Sequence, residues 1–465
     1  MNYQVSQHID NNKVFIVQRS EIEGRLDPKM ALYNRKVQDS LYPKVKLKDV
    51  LVCKPQYGAS EPGVPRSSIK EPRYIRITDI DENGLISHDE LGATAKIIEN
   101  KYILCENDIL IARSGATVGK AYIHKPALYD CFFAGYLIRF IINTDKALPE
   151  YIFTYTQLNA YKEWVNAIQR PSGQPNINSE EYQSLEIPLP NIERQQVIVD
   201  VIKSAYLQKK QKESEAKQLL DNVDAYILNE LGITLPEIKT DLKNRIFKVN
   251  RSELEERLDP TVYKDGIKLI SNNYDNVKLS SVAYVNPTGT FKGKDIETPI
   301  SFIPMESIDE VYSEVSKLED TTIENASGFT KFKEGDLLWA KITPCMQNGK
   351  SAIAKNLTNG LGCGSTEFFV MRNKDERLAI EYLHVILHMK CVRETAMLYF
   401  GGSAGQQRVS SAFLENFNLP LPPKDKQIEI ANHVYTIRQK AKALQEEGKV
   451  LLEEAKRKVE SMIIG

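Results

Sequence analysis

Ile187-Pro-Leu-Pro-Asn-Ile-Glu-Arg-Gln-Gln196 returns 232 positions later as Leu419-Pro-Leu-Pro-Pro-Lys-Asp-Lys-Gln-Ile428. From Glu193 to Leu231 the first copy has no proline or glycine. Its apolar residues alternate in steps of four and three: Ile198, Ile202 and Ala205, then Ala216, Leu219, Val223 and Tyr226. That spacing predicts a long helix with a coiled-coil-like seam. The second copy supplies Ile430, Val434, Ile437, Ala441, Leu444, Leu451, Ala455 and Met462. Gly448 stands where the first copy has Ala216 and would let two backbones approach closely.

Working outward, Phe15-Ile-Val-Gln-Arg-Ser-Glu-Ile-Glu-Gly-Arg-Leu-Asp-Pro28 matches Phe247 to Pro260 at the same offset, 260 − 28 = 232. So do Ser172-Gly-Gln174 with Ala404-Gly-Gln406, and Gln195 with Gln427. Asn107-Asp-Ile-Leu-Ile-Ala-Arg113 matches Gly335-Asp-Leu-Leu-Trp-Ala-Lys341 at 228, so the interiors differ in loop length while the frame is kept. The chain is a tandem repeat. Each half holds short β-rich runs, Tyr74–Thr78, Asp108–Ala112, Tyr136–Ile142 and Phe368–Met371, broken by Gly and Pro clusters, which predicts an α+β domain. The expected order is an α+β domain over 1–188, a long helix over 189–235, a second domain over 236–420 and a second long helix over 421–465. A helix of about 40 residues is about 60 Å long, a spacer whose seam needs a partner. The other copy, running antiparallel, is the expected one, with the domains at opposite ends about an approximate twofold axis.

Of 465 residues, 42% are hydrophobic and 26% charged, and Lys+Arg 61 against Asp+Glu 62 give a net charge of −1. This is globular composition with no global basic field, so a nucleic-acid site must be local. The opening MNYQVSQHIDNNK lacks a signal-peptide pattern, and no apolar run approaches a membrane span, so a soluble, cytoplasmic protein is expected. The six cysteines form no Cys-x-x-Cys pair, which fits thiols in a reducing compartment.

Two variable domains, each leaving through a Pro-x-Pro exit into a long helix, resemble the specificity subunit of type I restriction-modification systems. The openings Glu23-Gly-Arg-Leu-Asp-Pro28 and Glu255-Glu-Arg-Leu-Asp-Pro260 are also similar to that family. So are the Asp108–Gly115 run with Gly119-Lys120, and the Gly173-Gln-Pro-Asn-Ile-Asn178 loop. In the second half, Gly335–Lys350 and Gly364-Ser-Thr-Glu-Phe368 look like another branch of target recognition domains. The resemblance covers the whole chain. It implies a non-catalytic phage-defence subunit that reads a split, asymmetric double-stranded DNA site and directs DNA methylation. Two adenine-methyltransferase subunits would bind its helical regions and restriction/translocase subunits would join them, with S-adenosylmethionine, ATP and Mg sites in those partners.

Chemistry within the chain itself has little support. Gly349-Lys350-Ser351 lacks the first P-loop glycine, where Pro344 stands, and Gly115-Ala-Thr-Val-Gly-Lys120 is one residue short. Asn286-Pro-Thr-Gly289 lacks the second proline and the aromatic of a methyltransferase tetrad. His384, His388 and Cys391 share helical spacing, yet the central Glu of a zinc-protease helix is absent, and no metal is expected.

A DNA reader needs Arg, Lys, Asn, Gln, Ser and Thr on Gly-rich loops held by strands. In the first domain that selects Tyr57, Ser60, Arg66, Ser67, Lys70, Arg73, Arg113, Ser114, Lys120, Arg170, Gln174 and Asn176. In the second it selects Lys292, Lys294, Lys341, Thr343, Gln347, Asn348, Lys350, Ser403, Gln406, Gln407 and Arg408. Both domains are close to charge-neutral, so modest affinity without partners is expected. Two other readings stay open on sequence alone: a coiled-coil scaffold that binds no DNA, and a stand-alone nuclease.

Overall fold

Ile109-Leu-Ile-Ala112 alternates faces as a strand must. Ile109 and Ile111 pack among Tyr151, Tyr161, Trp164 and Ile187, while Leu110 and Ala112 pack among Ile75, Phe133 and Leu137. This strand, β6 (Ile109–Ala112), is buried on both faces, with helices on one side and a second sheet on the other, which accounts for its unbroken apolar run. Leu337-Leu-Trp-Ala340 repeats the arrangement as β16: Leu338 turns to Ile303, Phe332 and Phe368, and Trp339 stacks with Phe369 and Phe413 at ring separations of 6.3 and 6.2 Å.

The computed structural model describes residues 28–36, 40–86, 91–169, 175–236, 248–249, 259–402 and 406–465. It divides into two units, Met1–Gln211 with Glu447–Gly465, and Lys212–Glu446. The domain openings around 15–27 and 250–258 lie outside the described residues. Among those described, no helix is long and apolar enough to cross a membrane.

In the first unit one antiparallel sheet has the order β2 (Gln56–Tyr57), β9 (Leu137–Phe140), β6, β7 (Ala121–Ile123). The other runs β3 (Gly63–Pro65), β5 (Ala93–Ala95), β4 (Arg73–Ile75), β8 (Cys131–Phe133), with β4 and β8 parallel. β1 (Lys44–Lys46) pairs with β10 (Glu186–Pro188), which sets the start of the domain beside its Pro-x-Pro exit. Helices α1 (Pro28–Lys36), α2 (Pro149–Tyr155), α3 (Asn159–Ile168) and α4 (Ser179–Gln183) complete the domain before the long helix α5 (Ile192–Asp221).

In the second unit α6 (Val223–Glu230) and α7 (Pro260–Asp265) lead to β11 (Asp275–Lys278), α8 (Leu279–Val282) and β12 (Ala283–Val285). One sheet has the order β12, β19 (Phe368–Asn373), β16, β17 (Ser351–Ile353). The other runs β14 (Glu319–Thr322), β13 (Pro299–Ile303), β18 (Leu361–Gly364), β15 (Thr330–Lys333), again with one parallel pair, β13 and β18. After α9 (Ile380–His388) and α10 (Lys390–Met397) come the hairpin β20 (Phe400–Gly401) and β21 (Arg408–Val409), α11 (Ser411–Asn416), and β22 (Asn418–Leu421), which pairs with β11. The last helix is α12 (Lys424–Ile463). Both units are α+β.

Several polar tethers recur in the two units. Asp108 accepts from the Cys105 N–H and faces Arg139, and Asp336 accepts from the Lys333 N–H and faces Arg372. Gln195 is fully buried: its Oε1 accepts from the Leu148 N–H and its Nε2 donates to Pro190 O, both at 2.8 Å. Gln427, also buried, accepts from the Ala379 N–H and donates to Pro422 O and Arg377 O, all at 2.8 Å. Each glutamine therefore fastens the first turn of a long helix to the domain that precedes it.

The helices depart from the expected pattern in two respects. The stretch expected as one helix is interrupted at Asn222, although Asn222 N still bonds Gln218 O and Tyr226 N bonds Asn222 O. Asparagine competes locally for backbone hydrogen bonds and so favours such a break. The seam also shifts by one residue: Leu219 and Leu451 are half-buried, while Leu220 packs with Ala216 and Ala441, and Leu452 is buried. On α12 the buried positions Ile430, Ala441, Leu452 and Ile463 recur every eleven residues, because a straight helix drifts by about 20° per heptad from a strict seven-residue repeat. Ile198, Ile202, Ala205 and Val223 are buried as expected, with Val434, and Ile437 and Leu444 lie against the same cores.

Within the first unit Ile198, Ile202 and Ala205 share a core with Leu452, Ala455 and Val459, and a Cβ added at Gly448 would lie 3.2 Å from Lys209 Cγ and 3.4 Å from its Cα. Within the second unit the Tyr226 and His433 rings meet at a tilt with centres 4.2 Å apart and Glu230 pairs with Lys426 at 2.5 Å, so α6 and α12 run in opposite directions there.

Candidate nucleic-acid interface

In the first unit β6 ends at Ala112 and its antiparallel neighbour β9 begins at Leu137, so the residues just beyond them meet at one rim of the sheet. Arg113 N donates to Tyr136 O, and Arg113 O accepts from Ile177 N, both at 2.9 Å. Ser114 bridges to Asn176, and Gly115 N donates to Pro175 O at 3.0 Å. The Arg113 guanidinium lies 4.9 Å from the centre of the Tyr57 ring, and the Tyr57 hydroxyl donates to Ser179 Oγ while accepting from Ser179 N. Asn178 and Glu181 form a reciprocal capping box that fixes the loop carrying Asn176. The result is a rim of one guanidinium, an exposed amide, a hydroxyl and two exposed tyrosines, Tyr57 and Tyr136.

The same rim exists in the second unit with different side chains. Lys341 N donates to Glu367 O, and Lys341 O accepts from Val409 N, both at 2.9 Å. Ile342 bridges to Arg408, and Thr343 N donates to Gln407 O at 2.9 Å. Lys341 Nζ lies 5.6 Å from the Phe369 ring centre, while the Thr343 hydroxyl donates to Gln347 Oε1. The Arg408 Nε and Nη2 donate to the Glu367 carboxylate at 2.8 to 3.1 Å, and Nη1 donates to Gln406 O at 2.9 Å. The hydrogen bonds from Arg408 hold the Glu367 carboxyl below the usual range.

Several residues selected from sequence are placed elsewhere. Arg66 and Arg73 are buried, a correction to their reading as DNA contacts. Arg66 donates to Leu91 O, Ile69 O and Glu71 O and lies 4.2 Å over the Tyr129 ring, and Arg73 lies in β4 with Nη1 3.4 Å from Tyr129 Oη. They secure the second sheet, since a buried guanidinium must find acceptors. Lys120 and Lys350 likewise turn inward, to Ile80 O at 2.6 Å and Met305 O at 3.2 Å. The preceding Gly119 and Gly349 have φ of +88° and +89°, the left-handed turn that aims each lysine back at its own domain. Neither glycine-lysine pair therefore fits a nucleotide phosphate. Asn348 donates to Glu310. Ser67 is bound to Glu71 on the same exposed loop as Lys70, Ser60 is exposed beside Ala59, and Lys292 and Lys294 are exposed on the loop leading to β13. Arg170, Gln174 and Ser403 lie outside the described residues.

The histidine and cysteine trio is also divided. His384 bonds Tyr435 Oη through Nδ1 at 2.8 Å and Ser351 Oγ through Nε2 at 3.1 Å, and His388 Nε2 donates to Glu310 O. Cys391 is buried, which pushes its thiol up to about 11. Two rim residues were missed by the sequence selection, Tyr136 and Glu367. Both stand immediately before the strand that flanks β6 or β16, at equivalent hydrogen-bonding positions, and that recurrence was the available signal.

Two polar rims built on one backbone plan are what a reader of two different short sequences requires. A family model described as the type I restriction modification DNA specificity domain matches residues 70–220 and 271–453. The type I restriction enzyme EcoEI specificity subunit of Escherichia coli is 34% identical over 168 residues, 35% of this chain and 27% of that protein. The EcoAI specificity subunit of the same species is 34% identical over 183 residues, 38% of this chain and 29% of that protein. The matched stretches thus span less than a third of those relatives. A solved chain, from a study of complex assembly and conformational transition of the type I R-M system, superposes over 90% of this chain and 96% of its own length, with a TM-score of 0.50 and 17% identity, a likeness of fold. With the family match falling once in each unit and including both central strands and the start of both long helices, the chain belongs to the type I restriction modification DNA specificity family.

Proposed function

We propose that the chain is the non-catalytic, sequence-reading subunit of a type I restriction-modification complex, recognising a split, asymmetric DNA site. Residues 1–188 and 236–420 act as target recognition domains, one for each half-site. Residues 189–235 and 421–465 act as spacer helices, paired antiparallel in a pseudo-twofold arrangement that sets the gap between the halves. Two adenine-methyltransferase subunits bind the helical regions in the cytoplasm, and restriction/translocase subunits join them. S-adenosylmethionine, ATP and Mg belong to sites in those partners.

The observation that carries this reading is the repeated rim. Arg113, Ser114 and Asn176 in one unit and Lys341, Ile342 and Arg408 in the other occupy equivalent backbone positions with different side chains. A scaffold has no use for such a polar edge kept in place and changed in chemistry. Base edges in the major groove are distinguished by the donors and acceptors that these side chains carry.

The test is modification mapping by long-read sequencing in a methylation-free host carrying this gene with and without its neighbouring methyltransferase gene. A split motif of methylated adenines is expected only with both genes, and exchange of residues 31–188 for those of a relative should rewrite one half of it. No motif in any combination would defeat the assignment.

A further inference from the structure

Glu367 is out of character for a DNA-facing rim. A carboxylate beside Lys341, Thr343 and Gln407 would repel the phosphate backbone unless it serves another group. It holds Arg408 through two points, Nε and Nη2, in a flat side-on fork. Gln406 O takes one further N–H from Nη1. Of the five N–H groups of an arginine, contacts to the described residues use three and leave one on each terminal nitrogen. Those two neighbouring donors form the pair that meets guanine O6 and N7 in the major groove. The Arg408 side chain is 42% exposed and the Glu367 side chain 21%, so the arginine is the outer member of the pair and the carboxylate its support.

We propose that Arg408, oriented by Glu367, reads a guanine in the half-site of the second unit. Glu367 is a positioning residue: it fixes the plane of the guanidinium before DNA arrives, so less side-chain freedom is lost on contact. Backbone ties locate the fork on the rim, because Glu367 O accepts from Lys341 N and Arg408 bridges to Ile342. The first unit has Tyr136 and Asn176 at the equivalent places, so it lacks this fork and its half-site is read by other means. The inference rests on the DNA-reading assignment above and assigns one base class to one position.

The experiment maps adenine methylation in a methylation-free host expressing the full chain, wild-type, R408K or E367Q, with its methyltransferase subunit. Wild-type is expected to give a split motif with an invariant guanine in one half. R408K keeps the charge but loses the fork, so discrimination at that guanine should fall by about 10- to 100-fold while the other half stays unchanged. E367Q keeps the arginine and weakens its orientation, so the same position should relax to a smaller degree. An unchanged motif in both variants would overturn the inference while leaving the DNA-reading assignment intact. Uniform loss of methylation at all sites in a soluble E367Q protein would also overturn it, by making the pair a structural clasp. No motif from the wild-type chain would remove the assignment and the inference together.

Discussion

The rim of the first unit and the rim of the second share their backbone and almost none of their side chains. Arg113 over Tyr57, with Tyr136 and Asn176, faces solvent in one, and Lys341 beside Phe369, with Glu367 and Arg408, does so in the other. Beneath each rim the chemistry is conserved between the copies. Buried carboxylates Asp108 and Asp336 face arginines, Tyr151 and Tyr382 donate to Pro188 O and Pro420 O, and buried glutamines hold the helix starts. The difference separates what specifies the fold, which lies inside and repeats, from the rim, which keeps its backbone and changes its side chains and to which the proposed function assigns the reading of DNA.

The largest effect expected from breaking this correspondence is at the buried carboxylates. Asp336→Ala removes the carboxylate that holds the Arg372 guanidinium at 2.6 and 2.7 Å and leaves it, among the described residues, only a 3.4 Å contact to Thr290 Oγ1; loss of the partner of a buried charge costs about 3–5 kcal/mol. Asp108→Ala should cost less, because Arg139 stands 3.4 Å from Asp108 and also donates to Ile103 O and Gln56 Oε1. Because two units need not unfold together, the check is amide hydrogen exchange read separately on β6 and β16. Equal losses would contradict the ranking.

Next is an acid dependence that two buried histidines give the second unit. His384 is pushed down to about 3 by burial and then by the Arg438 charge, and His388 is lowered by burial, Arg438 and Arg393. The unfolded chain therefore binds protons that the folded unit refuses. Stability is complete above about pH 6.5 and falls as the pH drops from there toward 3, by up to about 1.4 kcal/mol per pH unit for each proton. Phe153 occupies the corresponding turn of α2 in the first unit, two residues after the tyrosine that holds the exit. Transplanting it as His384→Phe should remove one proton's share of the acid slope on the β16 amides, leaving that of His388, and cost about 1–3 kcal/mol at neutral pH, since Tyr435 loses its partner and Ser351 is left with Gly349 O. An unaltered slope would show that His384 does not carry it.

The smallest effect is at the paired glutamines. Gln195→Ala and Gln427→Ala each strand buried backbone groups at a cost of about 1–3 kcal/mol, with Gln427→Ala the larger because it loses three hydrogen bonds where Gln195→Ala loses two. Exchange should accelerate at the Leu148 amide in the first variant and at the Ala379 amide in the second. Reversal of that pattern would refute the equivalence.

Much of this was legible because it is periodic or repeated. The offset of 232 located both exits and both glutamines, and the apolar runs at Ile109 and Leu337 located both central strands. The direction in which a cation points is set by tertiary context that a sequence does not display. Arg66, Arg73, Lys120 and Lys350 looked like loop cations and turned out to bind carbonyl or hydroxyl oxygens of their own domains. The one-residue shift from Leu219 and Leu451 to Leu220 and Leu452 escaped because steps of four and three approximate 3.6 only over short stretches. Tyr136 and Glu367 were passed over because Tyr136 opens an apolar run that reads as a strand and an acid does not match the residue types sought for DNA contact, although position marked both.

The two buried glutamines bind only backbone atoms: Leu148 N and Pro190 O in one unit, Ala379 N, Arg377 O and Pro422 O in the other. A fastening made to main chain is indifferent to which side chains the neighbouring residues carry. Mutation and genetic exchange can therefore rewrite either domain's surface without loosening its helix, and heredity can vary that surface independently of whether the domain folds.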